Sequence, residues 1–192
     1  MFLTVLNLFN IIFKNAVIHV NFFKKFNNFS INLLIFKSWF NIIIFFLKYN
    51  SLFNKTMLID INTFDYNNLL ILNEKLKLNI NCLIYYFYLF NYNFKLNIIV
   101  YISNLNSVNS IGNLFSNSIW IERELSEMFG INFLNKFDTR NLLLDYSYIG
   151  YPLLKTFPIV GNIEIFFNFL KNWISYVNII LKESSKTEFS YY

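Results

Sequence analysis

Two kinds of apolar pattern alternate along the first hundred residues. Apolar residues recur every three or four positions over 2–15 and 38–49, which predicts two helices. Shorter apolar runs bounded by polar residues predict five strands. Asparagine-containing turns at 27–28 and 92–93 are expected to close two hairpins, between the first and second strands and between the last two. The predicted strands are 17–26, 29–36, 55–63, 82–91 and 94–103.

Three further stretches complete this first region. The helix over 38–49 is expected to begin at a Ser38 cap, and residues 107–117 are predicted to form another helix with Ser107 near its start. Residues 67–78 fit either a short helix or a loop. The apolar face predicted for the helix over 38–49 consists of Phe40, Ile43, Ile44 and Leu47.

A short amphipathic helix follows. Apolar residues at i, i+4, i+7 and i+8 from Ile121 predict one buried face, with Ser118 as the candidate N-cap and Gly130 as the left-handed C-cap. Arg123 can reach Glu127 at i+4. The apolar face is Ile121, Leu125, Met128 and Phe129, and the polar face is Glu122, Arg123, Ser126 and Glu127.

Glycine and proline punctuate residues 132–161, which predicts an extended, irregular segment. Because such a segment cannot form its own hydrogen-bond ladder, it is expected to lie against this chain or a partner. Residues 162–180 are predicted to be extended, and residues 182–192 to be a polar tail.

The element order, α-β-β-α-β-β-β-α, predicts an α+β fold. We expect a mixed β-sheet with helices packed on one side, followed by the extended irregular C-terminal segment. The predicted division is an α+β domain at 1–117, a signature helix and partner-binding segment at 118–161, and an extended segment with a tail at 162–192.

Composition raises the question of a membrane protein, since 56% of residues are hydrophobic and 21% aromatic. A spanning helix needs about 20 mostly apolar residues, and the best candidate, 31–47, is interrupted by Lys37 and three other polar residues. We therefore interpret the composition as a coding bias typical of AT-rich organelle genomes, and the lack of an arginine-rich N-terminus as fitting synthesis inside the organelle. A small membrane-embedded protein remains an alternative.

Charge and side-chain chemistry point away from an enzyme. The net charge of +5 is spread over scattered lysines, a weak indication of RNA binding that leaves an organellar RNA-binding or ribosomal protein as a second alternative. One cysteine, Cys82, and one histidine, His19, cannot supply an iron–sulfur cluster or a hydrolytic triad. The acidic residues of the signature helix are interpreted as ion-pair partners of Arg123. We predict no catalytic, cofactor-binding or metal-binding residue.

Rare residue types concentrate between 120 and 161, where both arginines, both prolines and three of the four glycines lie. The pattern E-R-E-x-x-D/E-M-F-G-I, D-x-R-x-x-L-x-D-Y and G-x-P-x-x-K-x-F-P-x-x-G resembles the signature of the thirty-kilodalton subunit of respiratory complex I, the family of mitochondrial NADH dehydrogenase subunit 9 and its bacterial counterpart. The matching residues, predicted to be a structural and partner-binding signature, are Glu122, Arg123, Glu124, Met128, Phe129, Gly130, Asp138, Arg140, Asp145, Tyr146, Gly150, Pro152, Lys155, Phe157, Pro158 and Gly161.

The resemblance implies a structural subunit without catalytic residues. It implies packing against the quinone-binding large subunit of the hydrophilic arm, on the matrix side of the mitochondrial inner membrane, with no nucleic acid bound. It also implies that FMN and the iron–sulfur clusters lie on other subunits. Residues that would anchor the segment are Tyr146, Tyr148, Tyr151, Phe157 and Pro158, while signature charges are missing at Asn141, Ile149, Leu154 and Thr156.

Overall fold

A five-stranded mixed sheet forms the centre of the protein. The computed structural model describes residues 16–25, 28–53, 55–65, 80–103 and 107–179. The strand order is β1-β2-β5-β4-β3, and β2 runs parallel to β5 while the other pairs are antiparallel. The strands are β1 Val17–Lys25, β2 Asn28–Ile35, β3 Thr56–Asp65, β4 Ile80–Leu89 and β5 Phe94–Ser103.

The two predicted hairpins are confirmed. The β1–β2 pairing closes at Lys25 opposite Asn28, and the β4–β5 pairing closes at Leu89 opposite Phe94. Asn93 in the second turn has a φ of 53°, a left-handed conformation that asparagine tolerates better than most residues. The predicted helix at 2–15, the stretch 67–78 and the tail 182–192 lie outside the described residues.

One face of the sheet carries the core. Alternate residues of β4 and β5 are buried beneath the helices, as the two-residue period of a strand requires. On the opposite face the residues of these strands, such as Tyr86, are half-buried or exposed, except Cys82, which is buried. The core residues from these two strands are Leu83, Tyr85, Phe87, Leu89, Phe94, Leu96, Ile98, Val100 and Ile102.

Two helices cover this face. Helix α1 spans Phe40–Tyr49 and helix α2 spans Ser118–Phe129. The Phe40 ring of α1 lies 4.7 Å from the Tyr85 ring, and the Phe115 ring, just before α2, lies 5.3 Å from the Phe87 ring. Because Tyr85 and Phe87 share one face of β4, both helices pack on the same side, and the predicted α+β architecture is confirmed.

Helix α1 buries the four apolar residues that its spacing predicts. The predicted cap is wrong, since Ser38 lies in a 3-10 turn over Lys37–Trp39. The residue before the helix, Trp39, makes no capping hydrogen bond through its side chain. A second 3-10 turn, Ser51–Phe53, follows α1. The chain therefore enters α1 through a tighter helical turn, which changes where the helix begins and leaves its buried face unchanged.

The helix predicted over 107–117 is wrong. Residues Val108–Asn109 form a short strand, β6, which pairs in parallel with β7, Phe133–Leu134, and turns follow up to α2. Val108, Ile111 and Phe115 do face the core, which produced the helix-like spacing. Asparagine, serine and glycine between them favour turns over a helix, and tertiary partners satisfy the backbone.

Beyond β7 the chain is irregular up to a separate C-terminal hairpin. The segment predicted over 132–161 is confirmed as irregular, and it consists mainly of turns and bends. The stretch predicted to be extended over 162–180 contains two antiparallel strands, β8, Ile163–Asn168, and β9, Trp173–Asn178. The β6–β7 pairing connects residues on either side of the boundary predicted at 117, and the division into three regions stays a prediction. In the described part of the chain, no helix is both long and apolar enough to cross a bilayer.

Replacing Ile43 by Ala should lower the free energy of unfolding by about 2–4 kcal/mol, because its fully buried side chain would leave a cavity. Its neighbour Ile42 is 51% exposed, so Ile42→Ala is the matched control and should change stability by about 0.5 kcal/mol or less. Urea unfolding followed by circular dichroism measures both. Equal losses in the two variants would contradict the assigned orientation of α1.

Candidate functional site

Two charged residues of α2, Glu122 and Arg123, point into the protein, contrary to the predicted polar face. Glu122 is fully buried and Arg123 is 6% exposed, whereas Trp120 is 60% exposed. Leu125 is buried beside them, and Ile121 and Phe129 pack against the core. The error arises because hydrophobic periodicity assumes that charges face solvent, and here each buried charge has a bonding partner in a neighbouring loop.

Glu122 holds the stretch between β6 and α2. Its carboxylate accepts hydrogen bonds from the Ser110 hydroxyl at 2.5 Å and from the Ile111 backbone N–H at 2.9 Å. Burial raises the pKa of Glu122, and these hydrogen bonds offset part of that rise. Burial, with the nearby charge of Glu122, also raises the pKa of Tyr85 on β4. The carboxylate therefore secures a loop at a cost in desolvation.

Arg123 binds the loop after β7. Its Nε donates to the Arg140 carbonyl at 2.9 Å, its Nη2 donates to the Asn141 carbonyl at 3.0 Å, and its Nη1 pairs with Asp138 at 3.2 Å. The predicted Arg123–Glu127 ion pair is therefore replaced by contacts to this loop. Arg140, largely exposed, also pairs with Asp138, at 2.8 Å.

Asp138 is held in its charged form by these two cations. Hydrogen bonds from the side chain and backbone of Arg140, with the charge of Arg123, hold the pKa of Asp138 well below its usual range. The carboxylate therefore stays ionised at every physiological pH, so that the loop presents a fixed negative charge to the α2 guanidinium.

Glu127 binds the same loop through its N–H groups. Its carboxylate accepts hydrogen bonds from the backbone of Leu142, of Leu143 at 2.9 Å and of Leu144 at 3.1 Å. Burial acts to raise the pKa of Glu127, but the three donors outweigh it and hold the pKa below its usual value. We call Arg123 and Glu127 the α2 clamp, since one binds the carbonyls and the other the N–H groups of one turn.

Two further contacts fasten the segment beyond the clamp. The Leu153 N–H donates to the Met128 carbonyl at the end of α2, at 3.1 Å, and the Lys155 N–H donates to Asp65 at the end of β3, at 2.9 Å.

Gly130 ends α2 with a φ of 71°, which confirms the predicted left-handed C-cap. The predicted Ser118 cap is wrong, because Ser118 is the first helical residue and its hydroxyl donates to the Phe115 carbonyl.

The segment exposes the side chains that its backbone contacts hold in place. Tyr146 is 81% and Ile149 83% exposed, and Tyr151 is also exposed. Tyr148 and Phe157 lie with their rings 6.1 Å apart beside a cleft of about 510 Å³. Other residues that line the cleft include Asp145, Pro152, Pro158, Ile163, Ile165 and Tyr176.

The remaining signature residues take varied positions. Glu124 is exposed on α2, and Asp145 contributes its carbonyl, which accepts from the Tyr148 N–H at 3.0 Å and from the Asn141 amide at 3.3 Å. Gly150 and Gly161 have positive φ angles. The predicted site residues do not include three that hold this region together, namely Glu127, Ser110 and Asp65. Only Glu127 carried a signal in the sequence, its position within the signature helix.

The comparisons with known proteins bear on this same region. A profile of the family described as "Respiratory-chain NADH dehydrogenase, 30 Kd subunit" matches residues 37–162, about two thirds of the chain. The chain belongs to this family. That match includes α1, the sheet from β3 onward, α2 and the clamped segment, and it ends just before the C-terminal hairpin.

Individual relatives carry the same family names. The chain is 36% identical over 128 residues to NADH-ubiquinone oxidoreductase subunit 9 of Dictyostelium citrinum, covering 67% of this chain and 59% of that protein. It is 49% identical over 70 residues to subunit 9 of Paramecium primaurelia, covering 36% of this chain and 34% of that protein. It is 42% identical over 71 residues to a subunit of the NADH-quinone oxidoreductase of Rickettsia conorii, covering 37% of this chain and 29% of that protein. The chain thus spans 59% of the length of its Dictyostelium citrinum relative.

A solved structure supports the fold. A chain of a membrane-bound sulfane sulfur reductase, an archaeal respiratory membrane complex, matches with a TM-score of 0.51 at 11% identity, covering 76% of each chain. Within the described ranges, no three His, Cys, Asp or Glu side chains are grouped so that they could hold a metal ion. That the chain binds no cofactor stays a prediction.

Glu122→Gln should stabilise the isolated chain increasingly as the pH rises. The pKa of Glu122 is raised on folding. The wild-type chain therefore loses stability as the pH rises from the pKa of Glu122 in the unfolded chain, about 4.5, towards the higher pKa of Glu122 in the folded chain. Glutamine has no charge to bury. The difference in unfolding free energy between variant and wild type should grow over this range and then level off.

Urea unfolding from about pH 4 to about pH 8 measures that difference. The exposed neighbour Glu124 supplies the control Glu124→Gln, which should change the unfolding free energy by about 0.5 kcal/mol or less because its side chain is exposed. A pH-independent difference for Glu122→Gln would show that burial does not penalise the Glu122 charge.

Gly130→Ala should destabilise the chain more than Gly161→Ala. Both positions have positive φ angles, of 71° and 84°, so alanine costs about 1 kcal/mol of strain at either. A Cβ at Gly130 would also lie 2.6 Å from the Tyr151 ring, whereas no atom lies within 4 Å of a Cβ at Gly161. Thermal unfolding compares the two, and equal losses would contradict the contact between Tyr151 and the end of α2.

Proposed function

We propose that this chain is a non-catalytic structural subunit of the hydrophilic arm of NADH:ubiquinone oxidoreductase, with residues 132–161 as its partner-binding segment. One observation carries the proposal. The segment is fastened to α2 and β3 through its backbone, while Tyr146, Ile149 and Tyr151 remain exposed. Exposed side chains on a backbone that is fixed in this way fit a docking surface rather than a reaction site.

Fixed aromatic side chains favour tight association. Binding a flexible loop costs conformational entropy, and a loop already held in its bound shape avoids that cost. Buried aromatic anchors carry much of the binding energy in protein interfaces. The α2 clamp supplies the rigidity and the tyrosines supply the anchors, so the two halves of the signature have complementary tasks.

The partner that we propose is the quinone-binding large subunit of the same arm. Among the residues that line the cleft beside Tyr148 and Phe157, Asp145 alone is charged, so the cleft suits a largely apolar surface of the partner. In this role the chain supports electron transfer from NADH to ubiquinone without touching either. FMN and the iron–sulfur clusters would reside on other subunits, and the chain would lie on the matrix side of the mitochondrial inner membrane.

Arg123→Ala should reduce assembly of the complex. The variant leaves the carbonyls of Arg140 and Asn141 and the carboxylate of Asp138 without their shared donor, at a cost of about 2 kcal/mol in local stability. Native gels of mildly solubilised mitochondrial membranes, stained for NADH dehydrogenase activity and probed for this chain, measure the amount in the large active band. We expect several-fold less variant than wild type in that band.

The control removes a cation elsewhere. Lys95 is exposed on the opposite face of β5, so Lys95→Ala should leave assembly unchanged. Full assembly of the Arg123→Ala complex with reduced turnover per complex would overturn the structural role. Migration of the wild-type chain with ribosomes, or its retention in the bilayer after an alkaline carbonate wash, would favour the RNA-binding or membrane-embedded alternative instead.

A further inference from the structure

The C-terminal hairpin forms a sheet of its own. Strands β8 and β9 pair from Ile163 opposite Asn178 to Asn168 opposite Trp173, and no third strand joins them among the described residues. All of their residues are exposed except Asn168 and Ser175, which are half-buried. Because an isolated two-stranded hairpin is at best marginally stable in water, this one requires a further contact.

One face of the hairpin is apolar. The pairing register and the two-residue period place the side chains of Ile163, Ile165 and Phe167 on this face, opposite Asn178, Tyr176 and Ile174. Each of the five apolar residues among them is at least half exposed. Part of this face also lines the cleft beside Tyr148 and Phe157, so the hairpin and the partner-binding segment share one mostly uncharged surface.

The hydrogen-bond pattern identifies the free backbone groups. The Ile179 N–H donates to the Asn162 carbonyl at 3.2 Å, which makes this pair a hydrogen-bonded one. Bonded and non-bonded pairs alternate in an antiparallel ladder, so the backbone groups of every second residue point outward. The outward groups are those of Ile174, Tyr176 and Asn178 on β9, and of Ile163, Ile165 and Phe167 on β8.

The outer edge of β9 lacks the features that usually prevent strand pairing. Its sequence, WISYVN, contains no charged residue and no proline, and its pairing has no bulge. Strand β8 carries one charge, Glu164. The uncharged edge of β9 is therefore the more favourable one for pairing.

The edge of the main sheet shows how the same chain protects a strand. Strand β3 has a register shift between Leu58 and Asp60, the Asp60 carboxylate accepts the Ile61 N–H at 2.8 Å, and the Asn117 amide binds the Leu58 carbonyl at 3.3 Å. A bulge and local side-chain bonds thus occupy backbone groups that another strand would need. Among the described residues, no bulge or side-chain bond occupies the outer edge of β9 in this way.

We infer that the outer edge of β9 accepts an extended strand from another subunit of the complex, which becomes the third strand of this sheet. Main-chain hydrogen bonds to Ile174, Tyr176 and Asn178 would supply the pairing. The side chains of the added strand on the cleft side are apolar, since they lie beside Ile174 and Tyr176 on a face without charge. The inference rests on the proposed function, because it requires a neighbouring subunit.

Hydrogen–deuterium exchange of the intact complex and of the isolated full-length chain tests this pairing. In the complex, the N–H groups of Ile174, Tyr176 and Asn178 should exchange at least roughly 100-fold more slowly than in the isolated chain. The outward N–H groups of Ile165 and Phe167 on β8 are the control within the molecule and should change far less. Equal slowing along both edges would indicate burial without strand pairing and would overturn the inference.

Two variants at one position separate the backbone from the side chain. Tyr176→Pro removes an outward N–H while the ladder bonds between β8 and β9 remain, since proline is tolerated at a strand edge. Tyr176→Ala keeps that N–H and removes the ring. Protection of Ile174 and Asn178 in the complex should be lost with proline and retained with alanine, and the same result with both variants would overturn the inference.

The same data distinguish failure of this inference from failure of the proposed function. Exchange over residues 141–155 and migration with the large active band report on the proposed function. Slow exchange there, with unchanged exchange along β9, would overturn the strand pairing alone. Protection of β9 that rises with the concentration of the isolated chain would assign the edge to a second copy and would likewise overturn the inference.

Discussion

The guanidinium of Arg123 is the contact on which the exposed half of the structure depends. A cation buried in a protein is costly unless its donors are paired, and here two carbonyls and one carboxylate pair them. Leu125 anchors the same helix in the core. The position of the loop at 138–144 therefore follows from the packing of α2 on the sheet, although the loop has no ladder of its own.

Three carboxylates near α2 show how position decides the charge chemistry. Burial raises the pKa of Glu122, whereas Glu127 and Asp138 receive several donors and have lowered pKa values. Glu122 and Glu127 bind loops from the helix, and Asp138 binds Arg123 of the helix from its loop. Side chains of α2 thus satisfy backbone N–H and C=O groups of the irregular segment, which has no hydrogen-bond ladder of its own.

The apolar side chains of this chain lie in two places, the core and the exposed surface. One part fills the core between the sheet and the two helices, with rings such as Phe40 and Tyr85 in contact. Another part stays exposed on the clamped segment and the C-terminal hairpin, where Ile149 and Leu170 are 83% and 97% exposed. Exposed apolar surface of this extent on fixed elements is typical of a protein that folds as one member of an assembly.

The sequence by itself determined the family, both hairpins of the main sheet, the buried face of α1 and the left-handed end of α2. The family follows from the signature residues between 120 and 161. The other three features follow from interactions within a few residues, namely strand and helix periodicity, asparagine turns and a glycine that needs a positive φ. Tertiary structure alone decided that Glu122 and Arg123 face inward, that residues 107–117 are not a helix, and that Asp65 holds Lys155. Those outcomes depend on partners 11 to 90 residues away in sequence, and the spacing of residues along a chain carries no record of which distant backbone groups need a donor or an acceptor.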